Sequence, residues 1–492
     1  MEVRAIMIQN PWWKHGTGFS EHDPSLSKQM EIEYKRSPID FKTGSIYIIK
    51  GPRQIGKTFW IKRTIKNLLD TKKVDPKQIL YLSCDSFISR RELRNAISFF
   101  LDYSRGFEKV YMFLDEITFL QNWNDELKHM ADTGQLTKRI IVATGSSPVI
   151  IEKGGYLPGR GMEGNSFLLQ PLSFREFILQ TTEALIPHIK DIKHRHSLSQ
   201  MLKKLKNTSI DLNVEVDKIR NVAHEILPFQ EEINYLFEVY LHTGGFPFSI
   251  NNYLKNNTKK IDEEIYERII RYILGDISKH GRKESTARQC LEEISKRIGG
   301  RYSFINLSKD LEASHITIIE YIDIMEKSFI IQVLHPYDFN KKTPRPKANK
   351  KIFFSDPLIY YSTRSWLLGQ NGFEFTEDFL IEETNQGKII ESIVASHLAK
   401  TKEQPYIKEP ITFLWYWYNK GEIDFIYKKN NTKYLGIEVK YQKTTSPKDI
   451  LKINQITQYI LLSKDNFDYK ENTLIIPTST FLALLKQSEK NL

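Results

Sequence analysis

Residues 46–58 read IYIIKGPRQIGKT: an apolar, β-branched run breaks into Gly51, four residues, then Gly56, Lys57 and Thr58. The stretch that follows, FWIKRTIKNLL, has apolar residues at helical spacing. Few local patterns restrict a fold this tightly. A buried strand must run straight into a glycine turn and the turn into a helix, so that backbone N–H groups close around phosphate oxygens and the helix dipole adds to their pull. Gly51, Pro52, Arg53, Gln54, Ile55 and Gly56 would form the cradle. Lys57 would reach the β and γ phosphates of ATP, and Thr58 would ligate Mg2+. Arg53 has two readings, one facing the phosphates and one in a structural ion pair.

A second apolar run, VYMFLDE at 110–116, ends in Asp115 and Glu116. Carboxylates at the C-terminal end of a buried strand lie at the sheet edge where α/β folds bind ligands. Asp115 would hold magnesium, directly or through water, and Glu116 would orient the attacking water. RIIVAT at 139–144 leads into Gly145, Ser146 and Ser147. The hydroxyls of Thr144 and Ser146 are candidates to sense the γ-phosphate, ordinary turn chemistry being the other reading. QILYLS at 78–83 completes a parallel sheet with helices between its strands. In PGRG at 158–161, Arg160 reads either as an arginine finger or as a solvated loop residue.

A chain of 492 residues exceeds what one hydrophobic core can serve, so three or four domains are expected. No run of eighteen apolar residues exists and the start lacks a secretory h-region, so the expectation is a cytoplasmic protein with no membrane span. Two distant cysteines, Cys84 and Cys290, suit a reducing compartment. A net charge of +11 favours an anionic partner, nucleic acid first, although many basic proteins bind none.

GPRQIGKT, FLDEI with TFLQNW, ATGSS, LPGRG and PLSFREF follow one another in order. That succession resembles archaeal AAA+-type ATPases that begin with an NPWW-like segment, here Asn10-Pro11-Trp12-Trp13. The resemblance covers roughly residues 5–365 and continues more loosely beyond. It implies an α/β multidomain protein: a P-loop AAA+-like parallel sheet over 1–180, a helical lid over 181–283, a winged helix over 284–365 and an α/β nuclease-like domain over 366–492. ATP with Mg2+ would be the cofactors, and a homo-oligomer is compatible with it. The paired tryptophans would either cover the adenine or staple the segment to the core. In LHTGGFPFSI at 241–250, the glycine pair would join two lid helices, as a plain turn or near the nucleotide.

Between 284 and 335 the pattern gives three helices, with Ser314 as the N-cap of the third, and then a two-stranded wing. The wing's tip carries Lys341, Lys342, Arg345, Lys347, Lys350 and Lys351, enough positive charge to contact phosphates. The third helix shows Glu320, Asp323 and Glu326, which would repel a DNA groove. The wing is therefore favoured over the helix as any DNA contact, a purely structural winged helix being the other reading.

The last domain opens with a helix over 385–399 that contains Glu391. ITFLWYWY, EIDFIYK and YLGIEVK then read as three strands joined by tight turns, followed by a helix over 448–463 and a strand near 473–477. Glu422 and Asp424 share one strand face, as do Glu438 and Lys440. Three carboxylates could hold one or two hard divalent ions, and Lys440 could position the attacking water. Glu391, Asp424, Glu438 and Lys440 are similar in order and spacing to the PD-(D/E)XK nucleases, and the domain looks DUF4143-like. That likeness implies a metal site for Mg2+ or Mn2+ and cleavage of DNA. Ile423 stands where proline often precedes the first strand acid. Solvated acids on a strand face are one other reading, and a nucleotide-switched DNA- or protein-binding module with a catalytically inactive nuclease-like domain is another.

Overall fold

Strand β1 (Ser45–Lys50) is buried along nearly its whole length, as expected for a strand covered on both faces. The computed structural model describes residues 3–27, 30–145, 165–256, 259–403 and 411–492. Two units emerge. The first holds residues 1–30, 35–170 and 489–492, and the second holds 31–34 and 171–488.

In the first unit β1 is joined by β2 (Ile79–Ser83), β3 (Val110–Asp115), β4 (Arg139–Gly145) and β5 (Ser166–Leu168). The order is β2-β3-β4-β1-β5, and every pairing is parallel. The insertion of β4 between β1 and β3 places the end of RIIVAT beside both the glycine loop and the Asp115-Glu116 pair.

β2 lies at an edge, where outward N–H and C=O groups need partners. Side chains of the N-terminal segment supply them. The N–H of Ser83 donates to Gln9 Oε1 (2.8 Å), and Tyr81 N–H donates to Asn10 Oδ1 (2.7 Å). Both indole N–H groups, of Trp12 and Trp13, donate to the Ile79 carbonyl at 3.0 and 2.8 Å. Trp13 also packs on Phe100 and Tyr103. Of the two readings for the tryptophan pair, the structure takes the staple.

The second unit begins with helices, among them Phe174–Leu185, Gln230–Thr243 and Pro247–Lys255. The Gly244-Gly245 break between the last two is a latch. Gly245 N–H donates to Asp356 Oδ2 at 2.8 Å, and Leu172 N–H donates to the Gly245 carbonyl at 2.8 Å.

His397 is buried nearby and uses both ring nitrogens as the neutral tautomer. Nε2 accepts from Phe174 N–H (2.7 Å) and Nδ1 donates to the Ile393 carbonyl (2.7 Å). Burial first, then the Lys400 ammonium, push its pKa from 6.5 down to about 3, against the pull of the Ile393 carbonyl. Below 6.5 the unfolded chain takes up a proton that the folded chain refuses until about pH 3, so stability falls as pH drops through that window. The slope expected from this group is about 1.4 kcal/mol per pH unit. Urea unfolding between pH 7 and pH 4.5 should show it, and His397→Gln should flatten the slope by about one proton. An unchanged slope in that variant would remove His397 as the cause.

Helices Glu284–Lys296, Phe304–Asp310 and His315–Lys327 follow, and Ser314 Oγ accepts from Thr317 N–H at 3.0 Å at the start of the third. With them comes an antiparallel sheet of order β6-β10-β7, where β6 is Arg301–Tyr302, β7 Ile331–Leu334 and β10 Lys350–Phe354. Between β7 and β10 the chain forms a small hairpin, β8 (Tyr337–Asp338) and β9 (Thr343–Pro344).

Two expectations change here. Glu326 does not face outward: it is largely enclosed and accepts from Val333 N–H at 3.0 Å, and burial pushes its carboxyl up to about 7. The outer positions of that helix include Ile316 and Ile319. Lys350 and Lys351 are not tip residues but belong to β10, where both are buried; Lys341, Lys342, Arg345 and Lys347 stay exposed. The basic residues continue across the point at which the tip becomes strand.

The C-terminal sheet has the order β11-β12-β13-β14-β16-β15. β11 (Leu414–Tyr418), β12 (Glu422–Lys428) and β13 (Tyr434–Val439) pair antiparallel, as the three-strand reading expects. β14 (Gln458–Ser463) then runs parallel to β13 and to β16 (Thr473–Pro477), with β15 (Asp468–Lys470) antiparallel at the edge. The helix expected over 448–463 is therefore absent: that segment holds one 3-10 turn, Pro447–Asp449, and strand β14. Tyr459–Leu462 is a continuous aliphatic and aromatic run, buried on both faces between two parallel neighbours. Ile450 and Ile456 anchor the preceding loop against Trp415, Ile423 and Tyr337.

Candidate nucleotide site and C-terminal acid cluster

At the end of β1 the chain turns through Gly51–Gly56 into the helix Lys57–Asp70. A Cβ at Gly51 would lie 2.1 Å from the Leu169 carbonyl oxygen, so no other residue fits there. Gly56 sits at φ +101°, in the left-handed region that favours glycine. The buried ammonium of Lys57 donates to the carbonyls of Gly51 and Pro52, both at 3.1 Å, and lies 3.2 Å from Glu116 Oε1.

Asp115 gathers three hydroxyls. Thr58 Oγ1 donates to its Oδ2 at 2.6 Å, Tyr81 OH donates to the same oxygen at 3.0 Å, and Thr144 Oγ1 donates to Oδ1. Thr144 Oγ1 also accepts from Glu116 N–H at 3.0 Å, so a single side chain fixes both carboxylate residues. Glu116 itself stands in the left-handed region at φ +48°, strain that turns its side chain toward Lys57. Lys57, Thr58, Asp115, Glu116 and Thr144 thus come together at one end of the sheet, along with the loop residues. Ser146 and Arg160 lie outside the described residues.

Tyr81 escaped sequence reading. Burial first, then the Asp115 charge, hold its phenol protonated and donating. Its only signal in the sequence is a hydroxyl-bearing aromatic two residues from the end of an otherwise aliphatic strand.

Thr58 and Asp115 are hard oxygen donors at the mouth of a phosphate loop, and this donor set fits Mg2+.

The C-terminal residues assemble differently from expectation. Glu391, from the helix Glu383–Ala399, meets Asp424 and Glu422 of β12 around the ammonium of Lys351. Its Nζ donates to Glu391 Oε1 at 2.6 Å, Glu422 Oε1 at 2.8 Å and Asp424 Oδ1 at 3.1 Å. Lys351 is only 1% exposed. Burial alone would lower its pKa, but Asp424, Glu391 and Glu422 outweigh that and keep it charged. Burial, then Asp424, push the Glu391 carboxyl upward, with Lys351 opposing.

Glu438 stands beside this group. Its Oε2 accepts from Asp424 N–H at 3.2 Å and its Oε1 pairs with Lys440 at 2.9 Å; burial, then Asp424, push its carboxyl up to about 7. A cavity of about 700 Å³ opens on this face, and Glu422, Asp424, Glu438 and Lys440 line it together with residues of the 447–452 loop and Glu471. Among the described residues, no group of three His, Cys, Asp or Glu side chains is placed to hold a metal ion. The expected acids are neighbours, but an ammonium stands among them. Lys351 and Glu422 were the residues that sequence reading did not assign to the site.

Residues 43–178 match a family model described as an AAA domain. Residues 234–369 and 386–481 match two models described as domains of unknown function, DUF8612 and DUF4143. The chain therefore carries a P-loop ATPase domain of the AAA class together with a C-terminal DUF4143 domain. An uncharacterized protein of Methanocaldococcus jannaschii is 24% identical over 453 residues, 89% of this chain and 85% of the relative. An uncharacterized protein of Haemophilus influenzae is 24% identical over 353 residues, 67% of this chain and 73% of the relative. Among solved structures, RuvB of Thermotoga maritima matches at 13% identity and TM-score 0.28, over 71% of this chain and 91% of that one. AMPPCP-bound DnaA of Aquifex aeolicus matches at 16% identity and TM-score 0.21, over 57% of this chain and 82% of that one. No described helix is long and apolar enough to cross a membrane.

Proposed function

We propose that this chain is a Mg2+-dependent ATP hydrolase whose nucleotide state controls how its C-terminal part engages DNA. The observation that carries the ATPase reading is the linked set Lys57, Thr58, Asp115, Glu116 and Thr144. Thr58 and Asp115 would hold the magnesium, which when bound offsets phosphate charge. Lys57 would exchange Glu116 for a phosphate oxygen, leaving the Glu116 carboxylate to orient the attacking water. Thr144 would hold Glu116 in place. Ser146 and Arg160 are proposed as further contacts to the γ-phosphate, with Arg160 acting within one subunit or across a homo-oligomer. Two buried free cysteines, Cys84 and Cys290, fit a cytoplasmic setting.

DNA is proposed as the partner because the exposed Lys341, Lys342, Arg345 and Lys347 cluster in a winged-helix-like segment of a chain with net charge +11. Replacing Lys341, Lys342 and Lys347 by alanine should weaken duplex binding and reduce the slope of log affinity against log salt by about 3. The measurement is fluorescence anisotropy over a salt series. Equal slopes in the two proteins would sink the wing as the DNA contact.

A second reading is metal-dependent cutting at Glu391, Asp424, Glu438 and Lys440, with Mg2+ or Mn2+. The Glu438–Lys440 pair at 2.9 Å and the adjoining cavity favour it, and Lys351 opposes it. Binding without cutting is therefore the preferred reading while Lys351 stays in place.

A further inference from the structure

Lys351 approaches the acid cluster from a segment that has no part in the PD-(D/E)XK pattern. Two residues of that segment pair with the cluster and a third lies close to it. Lys351 bridges Glu391, Glu422 and Asp424. Arg301, whose strand β6 pairs with β10, reaches Glu422 Oε2 with its Nε at 3.4 Å while its guanidinium lies over the Tyr418 ring. Gly299, at φ +69°, lies so near that a Cβ there would sit 3.0 Å from Glu391 Oε2. A basic segment thus covers the acids from one side.

Two physical facts give this contact a consequence. Magnesium binds oxygen ligands at about 2.0–2.1 Å and calcium at about 2.3–2.6 Å, so such an ion must take the point on which the carboxylates converge. Here Glu391 and Asp424, two of the three acids of the nuclease-like pattern, already surround an ammonium at 2.6 and 3.1 Å, with Glu422 at 2.8 Å. An ammonium and a dication cannot share that point. A buried acid cluster that loses its cation is also strongly destabilised until it takes up protons or another cation.

We propose that Lys351 is a built-in counter-ion of the nuclease-like site, and that its docking and the binding of a divalent cation are mutually exclusive. The proposal rests on the nuclease-like reading of the C-terminal acids only for the identity of the metal ligands, Glu391, Asp424 and Glu438. It makes the segment from Gly299 to Lys351 an autoinhibitory cover. The site becomes competent for metal only when β10 withdraws Lys351.

The test is Mn2+ binding to the full-length, nucleotide-free protein, read by electron paramagnetic resonance and calorimetry. An Asp115→Asn background silences the ATP site. With Lys351 present, no Mn2+ site that depends on Asp424 is expected at millimolar metal. Lys351→Met should gain one Mn2+ per chain, bound at least tenfold more tightly than by the parent and lost again when Asp424→Asn is added. It should also melt early without metal and recover with Mn2+. Lys351→Met with Glu422→Gln, which carries one acid fewer, keeps the test alive if the single variant does not fold.

Asp424-dependent Mn2+ binding of equal strength with and without Lys351 would overturn the proposal. So would two variants that neither bind Mn2+ nor are rescued by it. Plasmid nicking is scored in parallel. Bound Mn2+ without nicking would dismiss the cutting reading and leave the role of Lys351 standing.

Discussion

Glu116→Gln is expected to bind ATP and to hydrolyse it about 10²–10⁴-fold more slowly than the parent chain, the range typical of removing a positioned general base. The amide keeps the shape of the side chain and the backbone N–H donated to Thr144 Oγ1, so the β3–β4 arrangement should persist. It also removes the charge that pairs with Lys57 at 3.2 Å. Lys57 loses a competitor for phosphate, and ATP affinity should hold or rise. Phosphate release and retention of labelled nucleotide on a desalting column check both halves. Full turnover in this variant would end the role given to Glu116.

Gly245→Ala should cost the second unit about 3 kcal/mol or more, at the top of the range for overpacking. A Cβ there would fall 2.2 Å from the Leu172 carbonyl oxygen and 2.8 Å from its nitrogen. Both are backbone atoms, which cannot rotate away. Relief requires breaking the two-way link in which Leu172 N–H donates to Gly245 and Gly245 N–H donates to Asp356. Asp356 also caps the helix Pro357–Leu368 through Leu358 N–H at 2.9 Å, and losing a cap costs about 1 kcal/mol more. Burial already pushes the Asp356 carboxyl up to about 6, with these N–H groups pulling it back, so it has little tolerance for losing a donor. Urea unfolding measures the change. A loss below about 1 kcal/mol would mean that the latch relaxes more easily than its geometry allows.

The nucleotide site was legible because its determinants are local. Gly51 to Thr58 are consecutive, and Asp115-Glu116 ends a strand whose apolar run announces it. Tyr81 was not, because its partner Asp115 lies 34 residues away on a neighbouring strand. In the C-terminal domain, two-residue alternation placed Asp424 and Glu438 side by side, but the cation between the acids comes from β10, and Lys351 lies 73 residues from Asp424. No spacing rule reaches that far. Lys350 and Lys351 read as tip charge because the basic residues continue from the tip into β10 without a break in composition. The run after Pro447 read as a helix because the apolar residues of KINQITQYILL satisfy either period. Only the open places beside β13 and β16 make part of it a strand.

The most direct test of the account is the affinity of the full-length Glu116→Gln protein for a labelled DNA duplex, measured with Mg2+ alone and with Mg2+ and ATP at one salt concentration. Nucleotide control of DNA engagement predicts affinities that differ by at least about 5-fold, the lower end of ordinary coupling between sites. Equal affinities, with ATP shown to be bound, would contradict it.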